Sequence, residues 1–93
     1  LSVEEKFIFC CSDGEKQKVE RLIQEGVNVN AKGKEGKSAL WFSIYRNQKE
    51  IVEILLRNEK TDPNSKDING RSLIQFAIEK NNYEIIKLLL NEK

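Results

Sequence analysis

The sequence predicts an all-α protein in which three antiparallel helix pairs stack side by side and are joined by hairpin-like loops. Three observations support this fold class. First, the chain of 93 residues repeats its own pattern, which separates Gly14, Asn47 and Asn81 by 33 and then 34 residues. Second, apolar residues recur at helical spacing within each copy. Third, only short turns separate the two helical patterns of a copy, which makes the paired helices antiparallel.

The repeat aligns residues of similar type into columns. The stretch KSALWFSIYRN at 37–47 returns as RSLIQFAIEKN at 71–81. The aligned columns are Phe9, Phe42 and Phe76; Cys10, Ser43 and Ala77; Val19, Val52 and Ile86; Leu22, Leu55 and Leu89; and Ile23, Leu56 and Leu90. Since one helix pair cannot cover its own apolar face, this period predicts a stack of neighbouring pairs. We therefore assign a single domain, 1–93, with repeats at 1–32, 33–66 and 67–93.

The first helix of each repeat has one apolar face with i, i+3 and i+4 spacing. The residues expected on this core face are Val3, Phe7, Cys10, Cys11, Leu40, Ser43, Ile44, Ile74, Ala77 and Ile78. A serine precedes each of these helices. Ser2 with Glu5 has the spacing of a capping box, and Ser38 and Ser72 are expected N-caps.

The second helix of each repeat carries a denser apolar face. Its residues are Val19, Leu22 and Ile23 in the first repeat, Ile51, Val52, Leu55 and Leu56 in the second, and Ile85, Ile86, Leu89 and Leu90 in the third. Asn47 with Glu50 and Asn81 with Glu84 match capping-box spacing. We therefore expect these two asparagines to cap the second helices.

Polar connectors at 26–36 and 60–70 are expected to form the hairpin-like loops. Gly26 stands where a helix commonly ends in a left-handed conformation, and Asn69-Gly70 is a strong turn signal. The connector after Leu56 is one residue longer than the connector after Ile23 and lacks a matching glycine. A different local turn is expected there.

The two ends of the stack differ in polarity. Lys18 and Arg21 occupy columns that are apolar in the other repeats, so we interpret 2–25 as an amino-terminal capping unit. The last helix is apolar almost continuously at Ile85, Ile86, Leu88, Leu89 and Leu90. Such a face predicts further repeats after Lys93 in the parent chain or a self-contact, although a short array that tolerates an apolar end is the alternative. The absence of methionine leads us to expect a piece of a longer or processed chain.

Composition narrows the classes of function. The formal net charge is only +1, so whole-chain charge does not favour nucleic acid or an acidic membrane surface. No apolar run approaches the roughly 20 residues that cross a bilayer, so we expect no membrane insertion. Cys10 and Cys11 are adjacent and cannot form a disulfide with each other on one helix. We therefore expect a reducing, cytoplasmic location, and we expect the two thiols to pack in the core and not to act in redox chemistry.

The sequence offers no catalytic or metal-binding pattern. Because the chain has no histidine, histidine triads and histidine-bearing zinc sites are excluded. The Gly36-Lys37-Ser38 stretch fails the spacing of a phosphate-binding loop, and Asp62 and Asp67 lack the bidentate glutamate of a calcium loop. We expect a protein that is not an enzyme and that takes no cofactor and no metal.

Two stretches resemble ankyrin repeats. GVNVNAK at 26–32 is close to the family's G-A-D-V-N-A-K, and EIVEILL at 50–56 is close to its E-I-V-x-x-L-L. The resemblance extends over essentially the whole chain and implies an ankyrin-repeat solenoid. It also implies a non-catalytic protein-protein interaction module that binds a partner through a concave side made of hairpin tips and first helices. The alternative is a regulatory or targeting segment of a larger enzyme or channel.

The concave side implied by the resemblance maps onto basic and aromatic residues. The candidate partner-binding residues are Lys32, Lys34, Lys37, Trp41, Tyr45, Arg46, Lys66, Ile68, Asn69, Arg71 and Lys80. Because basic residues outnumber acidic ones there, we expect an acidic or mixed protein segment, anchored by Trp41, Tyr45 and Arg46. Packing between repeats is the other interpretation of Trp41. Nucleic-acid binding through the basic tips is a further alternative, but the chain lacks a recognised reading element.

Overall fold

A computed structural model describes residues 2–91 and contains six α-helices in this part of the chain. They are α1 (Val3–Asp13), α2 (Lys16–Gln24), α3 (Ala39–Tyr45), α4 (Lys49–Arg57), α5 (Leu73–Glu79) and α6 (Tyr83–Leu90). The described extended pairing consists of isolated bridges that close the two hairpin loops, Lys32 with Ser38 and Lys66 with Ser72. The predicted all-α stack of three helix pairs is therefore confirmed.

Serine caps begin the first helices, as expected. The Ser2 hydroxyl accepts from the Glu5 amide while the Glu5 carboxylate accepts from the Ser2 amide, which completes a capping box. The hydroxyls of Ser38 and Ser72 accept from the amides three residues later. Each bond satisfies an amide that has no partner within the helix.

The turn inside each helix pair uses one left-handed residue. Gly14, Asn47 and Asn81 have φ angles of 75°, 57° and 55°. The expectation that Asn47 and Asn81 cap the second helices is wrong, because each lies one residue before the N-cap. Gln48 and Asn82 hold that position, and only the Asn82 side chain accepts a helix amide, from Ile85. Asparagine tolerates the left-handed region better than most residues, which explains its recurrence in this column.

The core lies between successive repeats. In the middle repeat, Ile44, Ile51, Val52 and Leu55 are almost fully buried because repeats lie on both sides of it. Polar contacts also join successive repeats: the Gln48 side-chain amide donates to the carbonyl of Ser12, at 3.0 Å. Stacking therefore buries apolar surface and links neighbouring turns at the same time.

Two residues expected on the core face are exposed. Val3 is about half exposed on the first helix, and Ile78 is 55% exposed at the other end of the stack. Ile78 is in register with the buried residues Cys11 and Ile44, which the following repeat covers. The helical spacing was correct, but burial also requires a neighbour on that side.

The two connectors end their preceding helices differently, as their lengths predict. Gly26 has a φ angle of 91° after α2, whereas Asn58 is extended after α4 and its side chain accepts from the Lys60 amide. Gly70 has a φ angle of 76° in the second hairpin, which confirms the expected turn. No helix within residues 2–91 is long and apolar enough to cross a membrane.

Candidate functional site

The candidate residues lie on the two hairpin tips, on α3 and directly after α3 and α5, and we call this set the hairpin–helix face. Its members are Lys32, Lys34, Lys37, Trp41, Tyr45, Arg46, Lys66, Ile68, Asn69, Arg71 and Lys80. The two tips contact each other, because the Ile68 amide donates to the Glu35 carbonyl at 3.0 Å. A Cβ atom at Gly36 would lie 3.1 Å from the Ile68 nitrogen, so glycine permits this approach.

Three aromatic rings form the centre of this face. Trp41 stacks on Phe76 of the next repeat with a centroid distance of 4.5 Å, and on Tyr45 at 5.2 Å. Tyr45 is in turn 6.1 Å from Phe76. We call these three residues the aromatic stack. Since it joins α3 to α5, it holds the first helices of two repeats in a fixed relation.

A basic side chain covers each ring of the aromatic stack. The Lys37 ammonium lies 4.4 Å from the Trp41 centroid, and the Lys80 ammonium lies 4.8 Å from that of Tyr45. The Arg71 guanidinium lies 5.4 Å from the Phe76 centroid. Cations are attracted to ring faces at these distances. The layout therefore presents positive charge on an aromatic base.

Part of this positive charge is compensated within the chain. The Lys37 ammonium also lies 2.8 Å from the Glu35 carboxylate, and this hydrogen bond holds the pKa of Glu35 below its ordinary value. The Arg71 guanidinium lies 2.6 Å from the Glu79 carboxylate and 3.6 Å from that of the buried Asp67. Lys37 and Arg71 are therefore structural members of the face.

The remaining candidates differ in the contacts that they make. The Lys32 ammonium donates to the carbonyl of Lys66, at 3.0 Å, and so links the two hairpins. Ile68 is exposed at a tip, where the Asn69 amide donates to Asp67. Within residues 2–91, no carboxylate oxygen lies within 4.0 Å of the side-chain nitrogens of four exposed basic residues, which are Lys34, Arg46, Lys66 and Lys80. These four side chains therefore carry positive charge that no described carboxylate compensates.

The structure separates the three expected anchors by exposure. Trp41 is only 6% exposed, whereas Tyr45 is 49% exposed and Arg46 lies at the surface. The packing interpretation of Trp41 therefore accounts for its position, in the stack with Phe76. Phe76 was not among the predicted site residues, although the alignment placed it at the helix position that Phe42 has in the preceding repeat.

A cleft of about 790 Å³ separates the turns of the second and third repeats. We call it the inter-turn cleft, and its lining residues are 44–47, 49 and 80–84. Tyr45, Arg46 and Lys80 belong to the predicted face, while Lys49 and Tyr83 were not predicted. Their alignment was a usable signal, because the segment 46–49 is in register with 80–83.

Both cysteine thiols are packed in the first repeat. Burial raises the pKa of Cys10 and of Cys11, so each thiol keeps its proton near neutral pH and is a poor nucleophile. Among the described residues, no group of three or more His, Cys, Asp or Glu side chains is arranged to hold a metal ion.

Comparison with known proteins agrees with this architecture. A family model described as ankyrin repeats, in three copies, matches residues 7–93. A search of curated proteins finds no match. Ankyrin repeats are generally protein-protein interaction modules and are typically non-catalytic. Since the family match spans nearly the whole chain and the structure contains three stacked helix pairs, the chain belongs to the ankyrin-repeat family.

Proposed function

We propose that this chain is a non-catalytic module that binds an acidic or mixed segment of a partner protein through the hairpin–helix face. The observation that carries the proposal is the aromatic stack with a basic side chain over each ring. Aromatic and arginine side chains contribute much of the energy of protein interfaces. An acidic segment complements the charge that the chain leaves uncompensated on this face.

Some residues of the hairpin–helix face contact the partner, and others hold these residues in place. Tyr45 and Arg46 are exposed and contact the partner, while the buried Trp41 holds the Tyr45 ring in place through their 5.2 Å stacking contact. Because the rings are packed before binding, little side-chain entropy is lost when a partner docks. Lys34, Lys66 and Lys80 add charge around this centre.

Affinity capture from lysate tests the proposal. The intact chain is compared with the double variant Tyr45→Ala/Arg46→Gln and with the control Arg57→Gln/Glu59→Gln, which changes exposed residues at and just beyond the end of α4. We expect proteins captured by the intact chain and by the control to be lost from the Tyr45/Arg46 variant, by about tenfold or more for two interface anchors.

The thermal midpoint controls for unfolding in this experiment. Arg46 is at the surface and the Tyr45 ring is half exposed in the aromatic stack, so we expect the midpoint of the Tyr45/Arg46 variant to be only modestly lower than that of the intact chain. Equal capture by a folded Tyr45/Arg46 variant and the intact chain would remove the hairpin–helix face as the binding surface.

A further inference from the structure

From the geometry of the inter-turn cleft, we infer that it holds the carboxylate groups of an extended acidic peptide segment and that the hairpin tips play a smaller part. This inference rests on the proposed function and names the position and chemistry of the partner within it. Three features of the cleft carry it: its charge, its fixed walls and its two exposed tyrosine rings.

The cleft carries two uncompensated positive charges. Three basic side chains line it, and the one carboxylate among its lining residues, Glu84, forms an ion pair with Lys49. The side chains of Arg46 and Lys80 have no carboxylate within 4.0 Å among residues 2–91. At the hairpin tips, Lys37 is already paired with Glu35, and the uncompensated Lys34 and Lys66 are not among the residues that line the cleft. An incoming carboxylate therefore finds two cations without a carboxylate partner among the lining residues of the cleft, one from each of the two repeats.

The walls of the cleft are fixed before a ligand binds. The Asn82 side-chain amide donates to the Asn47 side-chain oxygen, which links the two turns directly. The Lys49–Glu84 ion pair links the same turns a second time, and Lys80 rests over the ring of Tyr45. Since these contacts hold the two turns together and position Lys80 in advance, less entropy is lost when a carboxylate docks beside it.

Tyrosine rings flank the cleft. Tyr45 is 49% exposed and Tyr83 is 72% exposed. The exposed part of the Tyr45 ring, which contacts Trp41 and Lys80, and the exposed Tyr83 ring offer apolar contact beside the cations, which suits a segment that carries both apolar side chains and carboxylates. In a polyproline helix, which has three residues per turn, neighbouring side chains point in different directions, so a carboxylate and an apolar side chain of one segment can reach the cations and the rings of the cleft together.

Protein carboxylates fit the surroundings of the cleft better than nucleic-acid phosphates. The formal net charge of the chain is only +1, and the carboxylates of Glu79 and Glu84 lie on the same or neighbouring turns. A backbone with one charge per nucleotide gains most from many exposed cations and is repelled by such acidic groups. Two cations between tyrosines match a sparsely charged peptide.

Fluorescence anisotropy with a defined peptide tests the inference. The probe is a fluorescein-labelled peptide of alternating glutamate and proline with about ten residues, which spans roughly 31 Å in polyproline form. That length is comparable to the 31 Å longest extent of the described chain. We expect saturable binding of this probe to the intact chain, and at least fivefold weaker binding of a glutamine–proline peptide of the same length.

Two charge-matched double variants locate the binding. Arg46→Gln/Lys80→Gln removes the cleft cations, and we expect it to weaken binding of the glutamate–proline probe by about fivefold or more. Lys34→Gln/Lys66→Gln removes two cations at the hairpin tips and leaves the backbone contacts of Lys66 intact. Because Lys34 and Lys66 add charge without lining the cleft, we expect this tip variant to weaken binding less, by about twofold.

Four outcomes overturn the inference: no saturable binding of the glutamate–proline probe, equal binding of the glutamine–proline peptide, equal losses in the two double variants, or tighter binding of oligothymidylate than of the acidic probe. In affinity capture, Arg46→Gln/Lys80→Gln and Lys34→Gln/Lys66→Gln can lose the same cellular protein to the same extent. The hairpin–helix face then remains the interface, and only the role of the cleft is refuted. If the Tyr45/Arg46 variant retains full capture, the proposed function fails as well.

Discussion

The two end repeats of the stack meet solvent in different ways. In the first repeat, Lys18 and Arg21 are exposed in columns that the middle repeat fills with Ile51 and Ile54. In the last repeat, Ile78 is exposed although the same column is buried in the repeats before it. The first end is therefore largely adapted to water, while the last end keeps the composition of an internal repeat.

The phenylalanine column shows that a neighbour sets the environment of a residue. Phe9 is 63% exposed, whereas Phe76 at the equivalent helix position is 5% exposed. Phe76 is covered because Trp41 of the preceding repeat stacks on it. The capping adaptation of the first repeat is thus incomplete, since the second helix of that end is polar while the first helix keeps an exposed ring.

The largest expected effect on stability comes from placing a lysine, which the first repeat has in this column, in the middle repeat. Ile51→Lys puts an ammonium in a site that is almost fully buried, and we expect a loss of roughly 4 kcal/mol or more in the free energy of unfolding. That is much of the stability of a small domain, so urea denaturation should show a largely unfolded chain. The control Lys18→Ile, in the same column, should change stability by about 0.5 kcal/mol or less. A stable Ile51→Lys variant would refute the column assignment.

The phenylalanine pair gives the next largest difference. Phe76→Ala removes a buried ring of the aromatic stack, and we expect about 3–5 kcal/mol of destabilisation in urea denaturation. Phe9→Ala removes an exposed ring, so we expect about 1 kcal/mol or less. Equal losses in the two variants would mean that the end repeat is as well covered as the interior.

The apolar last end is expected to change association more than stability. Ile78 and Leu90 are both exposed there, and a patch of this kind favours contact with another apolar surface. In sedimentation velocity, we expect the intact chain to self-associate at high concentration and Ile78→Lys/Leu90→Lys to remain monomeric with a similar urea midpoint. An intact chain that stays monomeric at the same concentration would show that this end tolerates exposure.

Acid should break the contact between Lys37 and Glu35 at the hairpin tip, with only a small effect on stability. The hydrogen bond from Lys37 lowers the pKa of Glu35 in the folded chain. A lowered pKa gives a stabilising contribution that is present above the unfolded-state pKa and is lost as the pH falls through the folded-state pKa. An NMR titration should therefore place the Glu35 midpoint below its ordinary value, and Lys37→Gln should raise it. An unchanged midpoint in Lys37→Gln would refute the contact.

The sequence was sufficient for the features that depend on local pattern. Repetition and helical spacing predicted the three helix pairs. A serine just before the helical pattern predicted the N-caps at Ser38 and Ser72. Asn47 was misassigned because asparagine suits both an N-cap and a left-handed residue, and the two positions are adjacent in this turn. Local spacing cannot separate these two roles.

The candidate site was predictable as a face but not as a set of contacts. The resemblance to ankyrin repeats placed Tyr45 and Lys37 among the candidate residues, but the pairing of Lys37 with Glu35 and Trp41 depends on the hairpin conformation. The inter-turn cleft depends on the separation of two turns from different repeats, which no single segment encodes. Sequence pattern therefore locates such a surface, while side-chain geometry decides which charges remain for a partner.

Native-state hydrogen exchange tests the stacked architecture most directly. Because α4 is covered on both sides and α6 on one, we expect the amides of Val52–Leu55 to exchange at least about tenfold more slowly than those of Ile86–Leu89, relative to their intrinsic rates. Equal protection in the two helices, or greater protection in α6, would contradict a stack in which each repeat is stabilised by the neighbours that cover it.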